Sequence, residues 1–372
     1  MIDNKRHKKA LFIFRRDLRL DDNTALLNAL KSSKTLIPCF IFDPRQIECS
    51  NNEYKSNNAL QFMIESLYDL EEQILSLGKS IDNNVFCRLY LFYGEQENVV
   101  SELLIKEKIN AVFTNKDYTP FSKKRDYNIG KSCHECNVEF YQYSDYLLSE
   151  PRLISDNHGR PITVYSKFLK KVTNNPIRLP ERLSNYYDNN GNNSFYNKPI
   201  ESAISEEGKQ EGQRFYSGIL DGKLNEHSYV KGGRKNCLKI LADLKKFENY
   251  GKERCYPAKQ QTTKLSAHIK FGTCSIREAF YAIKDQLGIE HILIKQLYWR
   301  DFFTYIAYHF PYVFGEPFNK KYENKIKWNK NGISLFTAWC NGKTGFPIVD
   351  AGMRQLNKTG FMPNRLRMIA AS

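Results

Sequence analysis

Read for apolar and polar positions alone, the chain changes character twice. Up to about residue 150, short continuous apolar runs alternate with longer stretches whose apolar residues recur every three or four positions. ALFIFRR, TLIPCFIFDP, VFCRLYLFYGE and NAVFTNKDYTP read as buried strands, and residues 138–141 as one more. Between them, LDDNTALLNALKSS starts a helix with Asp22 or Asn23 as N-cap, SNNALQFMIESLYDLEEQILSLG is a long helix, and residues 96–107 supply another. This β-α-β-α order predicts a parallel sheet with helices on both faces. Over residues 151–231 periodicity is lost in a polar tract rich in Asn, Gly and Ser, which predicts a partly irregular surface connector. Over 232–372 helical spacing returns without a good strand. The expected fold class is α/β plus all-α: a Rossmann-like parallel domain at 1–150, the connector, then a helical domain at 232–372.

Composition narrows the class. At 372 residues the chain is long enough for two cores, and its longest apolar runs, residues 10–14 and 36–42, are far too short to span a bilayer. The start, MIDNKRHKKALFIF, has too short an apolar core for a secretory signal, so a cytoplasmic protein is expected. Nine scattered cysteines fit a reducing compartment. Cys133 and Cys136 form a CxxC with no second ligand pair at zinc spacing, so ordinary thiols are expected rather than a metal site. A formal charge of +15 favours polyanions, nucleic acid before acidic membrane, over a mere Lys- and Asn-rich drift.

Candidate chemistry sits mainly in the helical part. Thr262, Thr263 and Ser266 bracket a helix start, where hydroxyls and free backbone N–H groups suit a phosphate, or where one Thr serves as a plain cap. Gln296, Trp299 and Arg300 share one helix face at i, i+3, i+4, able to stack a planar ring and read its edge, or simply to bury a capped Trp. Asn364, Arg367 and Met368 repeat that spacing, as do Asp350, Met353, Arg354 and Asn357 one helix earlier. An inward-facing Asn among apolar neighbours needs a partner, since an unpaired buried amide costs roughly 1–3 kcal/mol. In the α/β part, no GxGxxG follows the first strand; Arg15, Arg16, Asp17 and Arg19 stand there instead, lining a crevice or forming a ring of surface ion pairs.

Taken in order, FIFRRDLRLDDNTALLNAL, TTKLSAHIKFGTCSIRE, QLYWRDFF and KTGFPIVDAGMRQLNKTGFMPNRLRM resemble the photolyase/cryptochrome family, most of all its class I cyclobutane pyrimidine dimer photolyases. The likeness covers almost the whole chain outside the polar connector. It implies an N-terminal antenna domain and a helical domain holding a U-shaped FAD. It also implies UV-damaged DNA as substrate: a pyrimidine dimer is flipped into a cavity and split by an electron from light-excited reduced flavin. Carried over by residue, the resemblance places Tyr250, Thr262, Thr263, Lys264, Leu265 and Ser266 along the flavin phosphates and ribityl chain, and Arg367 by the isoalloxazine. Trp299 would stack on the flipped dimer beside Met368, with Arg254, Arg300 and Arg365 on the DNA side and Trp328 outermost in the tryptophan chain that photoreduces the flavin. Asn364 matches the residue facing flavin N5, where an amide favours repair over the alternative, blue-light signalling by a cryptochrome.

Two residues depart from the family pattern. Gln296 replaces a Glu that hydrogen-bonds the lesion and cannot carry its charge. Pro363 replaces a common His and suits the first turn of a helix. The resemblance further implies acidic flavin contacts and inner tryptophans in sequence beyond Ser372, so the expectation is a partial chain that by itself binds FAD poorly or not at all and is inactive. A crevice around Asp43, Asn115 and Tyr118 is left open to a second antenna pigment (folate, deazaflavin or flavin) or to nothing, and a monomer without an obligate protein partner is expected.

Overall fold

The computed structural model describes residues 6–81, 87–187, 194–204, 215–325, 327 and 332–372. Five strands lie side by side in the order β3-β2-β1-β4-β5: β1 His7–Phe14, β2 Ser33–Phe42, β3 Tyr90–Tyr93, β4 Ala111–Asn115 and β5 Glu139–Tyr143. A short β6, Ser194–Phe195, pairs with the start of β2, and all these pairings are parallel. The strands are apolar throughout because both faces are covered. Phe12 and Phe14 of β1 pack into one core with Leu26, Leu30 and Leu67, while Leu11 and Ile13 pack into another with Val100, Leu104 and Ile129. Pro38 is tolerated inside β2 because β6 stops alongside Leu36 and β3 starts alongside Cys39, so its missing N–H falls in a gap along that edge. Of the two predicted caps for the Thr24–Ser32 helix, Asn23 does the work, accepting from Leu26 N.

The second half is helical among its described residues. Helices Arg234–Ala242, Leu265–Phe271, Ile276–Leu287 and Ile292–His309 share a core that includes Leu244, Phe280, Ile283, Leu297 and Phe302. Helices Pro347–Thr359 and Asn364–Ala370 form a hairpin on a small separate cluster of Met353, Met362 and Leu366. The polar tract is more ordered than its composition suggests. It supplies the Tyr165–Val172 helix, whose Phe168 and Val172 enter the helical core, and Tyr187, Phe195 and Tyr216, which enter the α/β core. Its apolar residues are few but well spaced, which a composition average hides.

The Arg15–Asp22 turn joins the two halves through buried ion pairs rather than an exposed ring, and Arg15, Arg16 and Asp17 also line a small void. Arg19 donates to Asp145 at 2.5 Å and to the Gly272 carbonyl at 3.2 Å. Arg277 from the helical half donates to Asp22 at 2.7 Å and to Asp145 at 2.6 Å. Asp22 and Asp145 are 0% and 4% exposed, so this is a desolvated network in which each carboxylate needs its guanidinium partners. Burial works against ionisation of Asp145, and Arg19 and Arg277 outweigh it, holding its carboxyl below the usual range. Gly272 lets the halves close: its φ is +68°, and a Cβ there would overlap the Arg16 carbonyl oxygen. Arg277→Ala should therefore destabilise the protein by roughly 3–5 kcal/mol, read as a lower urea midpoint, because two buried carboxylates each lose a partner.

Candidate active site

One cleft of about 440 Å³ collects residues from four stretches of the chain, one of them Ser228 and Val230. Ser266 and Lys270 come from the Leu265–Phe271 helix, Asn364 and Arg367 from the last helix, and Phe62 from the long Asn57–Ile81 helix. The last helix presents Asn364, Arg367 and Met368 on one exposed face, while Leu366 turns into the small cluster. Asn364 is thus not the buried amide expected from the apolar run; it faces open space at the cleft. Arg367 is held by its Nε donating to the Met362 carbonyl at 2.9 Å, which leaves the rest of the guanidinium available. The helix before it is occupied with structure. Asp350 accepts from Thr344 and Gly345, Arg354 donates to the Gly342 carbonyl, and Asn357 donates to the Cys340 carbonyl, so those three tie down the preceding turn.

Of the phosphate-type stretch only Ser266 lines this cleft. Lys264 is the N-cap residue in the left-handed region with no side-chain cap, and Thr263 Oγ1 receives Leu265 N at 3.4 Å. Leu265 is core; Thr262, Thr263 and Lys264 are half-buried, and Lys264 Nζ sits 3.5 Å from the Tyr229 ring centre. Tyr250, Arg254 and Arg365 lie together: burial pushes the Tyr250 phenol up, against the pull of both arginines. Met368 meets Arg365 through its sulfur at 3.9 Å. Lys270 and Phe62 were missed in the sequence. Lys270 was findable, one helical turn after Ser266 on the same face; Phe62 was not, being brought in from the other half of the chain.

Gln296 and Trp299 lie on the Ile292–His309 helix, half-buried and outside the walls of this cleft. Trp299 stacks on Tyr165. Arg300 packs on Tyr146, donating to its carbonyl at 2.8 Å with the guanidinium 3.6 Å from the ring centre. Trp328 lies outside the described residues. The crevice expected around Asp43, Asn115 and Tyr118 is not a single site. Asp43 pairs with Arg45, Asn115 bonds Asp17 and Asn23, and Tyr118 donates to Glu150. Where strand order reverses between β1 and β4, the usual ligand position in such sheets, a void of only about 20 Å³ remains beside Arg16, Asp117 and Tyr146.

With this geometry in view, the likeness to known proteins can be stated. Residues 10–183 match the family of DNA photolyase, and residues 293–372 match the FAD binding domain of DNA photolyase. The deoxyribodipyrimidine photo-lyase of Buchnera aphidicola subsp. Acyrthosiphon pisum is 30% identical over 384 residues, covering 98% of this chain and 73% of that protein. The one from Synechococcus sp. is 29% identical over 375 residues, covering 97% and 73%. Cryptochrome-1 of Drosophila melanogaster is 28% identical, covering 96% and 69%. The archaeal photolyase from Sulfolobus tokodaii, solved with two FAD molecules, is 39% identical with a TM-score of 0.79, covering 98% of this chain and 74% of its own. The chain belongs to the photolyase/cryptochrome family of flavoproteins, with that family's α/β and helical fold and its FAD-binding domain.

Next to Arg300, buried Asp301 fastens the Trp299 helix to the other half by accepting from Leu148 N at 2.8 Å and Ser149 N at 3.2 Å. Burial pushes its carboxyl up to about 7, against Arg300 and the two N–H groups. The unfolded chain releases that proton near pH ~4. The folded state therefore binds an extra proton between pH ~4 and about 7, and the associated stability is lost as pH rises through that window. Asp301→Asn should flatten the fall of melting temperature across it, relative to the parent protein.

Proposed function

We propose that this protein is a DNA photolyase that splits cyclobutane pyrimidine dimers. The observation that carries the reading is the cleft at which Ser266, Asn364 and Arg367 converge. Its chemistry fits a flavin dinucleotide. Phe62, Phe271, Phe361 and Met362 offer apolar walls to a ring system, while Lys270 and Arg367 supply cations for phosphates or a polar ring edge. On this reading Ser266, with Thr262, Thr263 and Lys264, holds the phosphate and ribityl portion, and Asn364 and Arg367 hydrogen-bond the ring edge. FAD, when bound, supplies the light-driven electron that opens the cyclobutane ring and is afterwards returned. The chain's own part is to orient, to exclude water and to hold the flipped lesion, for which Trp299 offers a stacking face and Gln296 an uncharged donor and acceptor. Arg254 and Arg365 then meet the DNA backbone, in keeping with the net charge of +15.

Photolyase-named relatives support repair over signalling, and the Sulfolobus tokodaii protein with two FAD molecules supports a second, light-harvesting flavin. The void at the β1/β4 reversal, about 20 Å³ and lined by Arg16, Asp117 and Tyr146, is too small to hold such a pigment.

Two measurements test the reading. Illumination with blue light in the presence of reduced FAD should restore intact pyrimidines in a dimer-containing oligonucleotide; bound flavin without dimer loss would favour the signalling alternative. Arg367→Ala should weaken FAD binding by roughly tenfold in a fluorescence titration, the loss of one charge-assisted hydrogen bond.

A further inference from the structure

Trp299 is held from outside its own helix. Tyr165, the first residue of the Tyr165–Val172 helix, lies parallel to the indole with ring centroids 3.5 Å apart and planes 9° from parallel. The Tyr165 hydroxyl donates to the Lys295 carbonyl at 2.9 Å, one turn before Trp299 and adjacent in sequence to Gln296. Phe302 closes the edge of the pair, 5.6 Å from Tyr165 and 5.8 Å from Trp299 in near-perpendicular contacts, and the exposed Phe303 ring lies offset and near-parallel to the indole at 5.6 Å. Phe168 and Val172 root the short helix in the core, so Tyr165 is a fixed support rather than a swinging side chain. Tyr165 falls in the polar tract, in none of the sequence motifs, and has no assigned role.

An exposed Trp on a helix would sample several rotamers and lose that freedom on stacking with a base; a Trp already clamped has less to lose. A ring covered on one face also offers only the other to a ligand. We propose that Tyr165 is the positioning residue for Trp299: it backs one face of the indole, so that a pyrimidine turned out of a DNA strand stacks on the other face in place of the exposed Phe303 ring, which swings aside. This rests on the reading of Trp299 as the lesion-facing ring. The aromatic ring carries the effect and the hydroxyl refines it, because the stack covers the whole indole face while the hydrogen bond touches only the backbone.

The test compares the affinity of the full chain for an oligonucleotide bearing one thymine dimer with its affinity for the undamaged strand. Trp299→Ala, Tyr165→Phe, Tyr165→Leu and Tyr165→Met are measured alongside, and whichever of the last two folds serves as the ringless variant. The ringless variant should lower the damaged-over-undamaged ratio about fivefold, leave undamaged binding unchanged, and make the Trp299 emission more accessible to acrylamide. Tyr165→Phe should keep most of the ratio. If Trp299→Ala loses the ratio and the ringless variant keeps it, the positioning role is overturned while the site reading stands. A Tyr165→Phe variant as impaired as the ringless one overturns the role of the ring. A ratio insensitive to Trp299→Ala overturns the lesion-facing reading, and the inference with it.

Discussion

The structure depends on a desolvated charge network at the turn after β1. Arg19, Asp22, Asp145 and Arg277 are all nearly inaccessible, and each charge is acceptable only because the others are within hydrogen-bond reach. The network draws its members from both halves of the chain and from the segment between them, since Arg178 also donates to Asp22 at 2.8 Å. It therefore fixes the orientation of the halves, which apolar packing alone would leave freer to slide. Leu18 N donating to the Phe271 carbonyl and the glycine contact at Gly272 bring the same turn against the end of the Leu265–Phe271 helix.

That docking has consequences for the cleft. The Leu265–Phe271 helix carries Ser266 and Lys270, and the long Asn57–Ile81 helix carries Phe62. They face one another directly, Phe62 packing on the rings of His268 and Phe271, and the β1 turn docks against the end of the same helix. Asp301 plays a similar part for the other candidate surface, fastening the helix of Trp299 to residues 148–149, while Tyr165 reaches that tryptophan from the polar tract. A rigid frame of buried charge thus supports the aromatic and basic side chains at its edge.

Much of the fold was legible in the chain. Strand and helix differ in apolar period, so β1, β2, β4 and the Thr24–Ser32 and Asn57–Ile81 helices follow from local pattern. The polar tract was legible least, since Phe168, Tyr187, Phe195 and Tyr216 are isolated apolar residues whose burial depends on distant partners. Of the candidate site, Ser266, Asn364 and Arg367 do line one cleft. Helical spacing tells which residues share a face but not what that face meets, and the face of Arg300 meets Tyr146.

By itself the sequence determined the order of elements, the residue types at each helix face, the family and the positive charge, all of which are local or summed properties. Only the tertiary structure decided that the arginine-rich turn is an internal joint and that Asn364 is open to the cleft. It also decided that Lys270 and Phe62 belong to the same wall and that Trp299 is clamped by Tyr165. Those facts depend on groups far apart in the chain, and the free energy of burying a charge or stacking a ring exists only once both partners have been brought together.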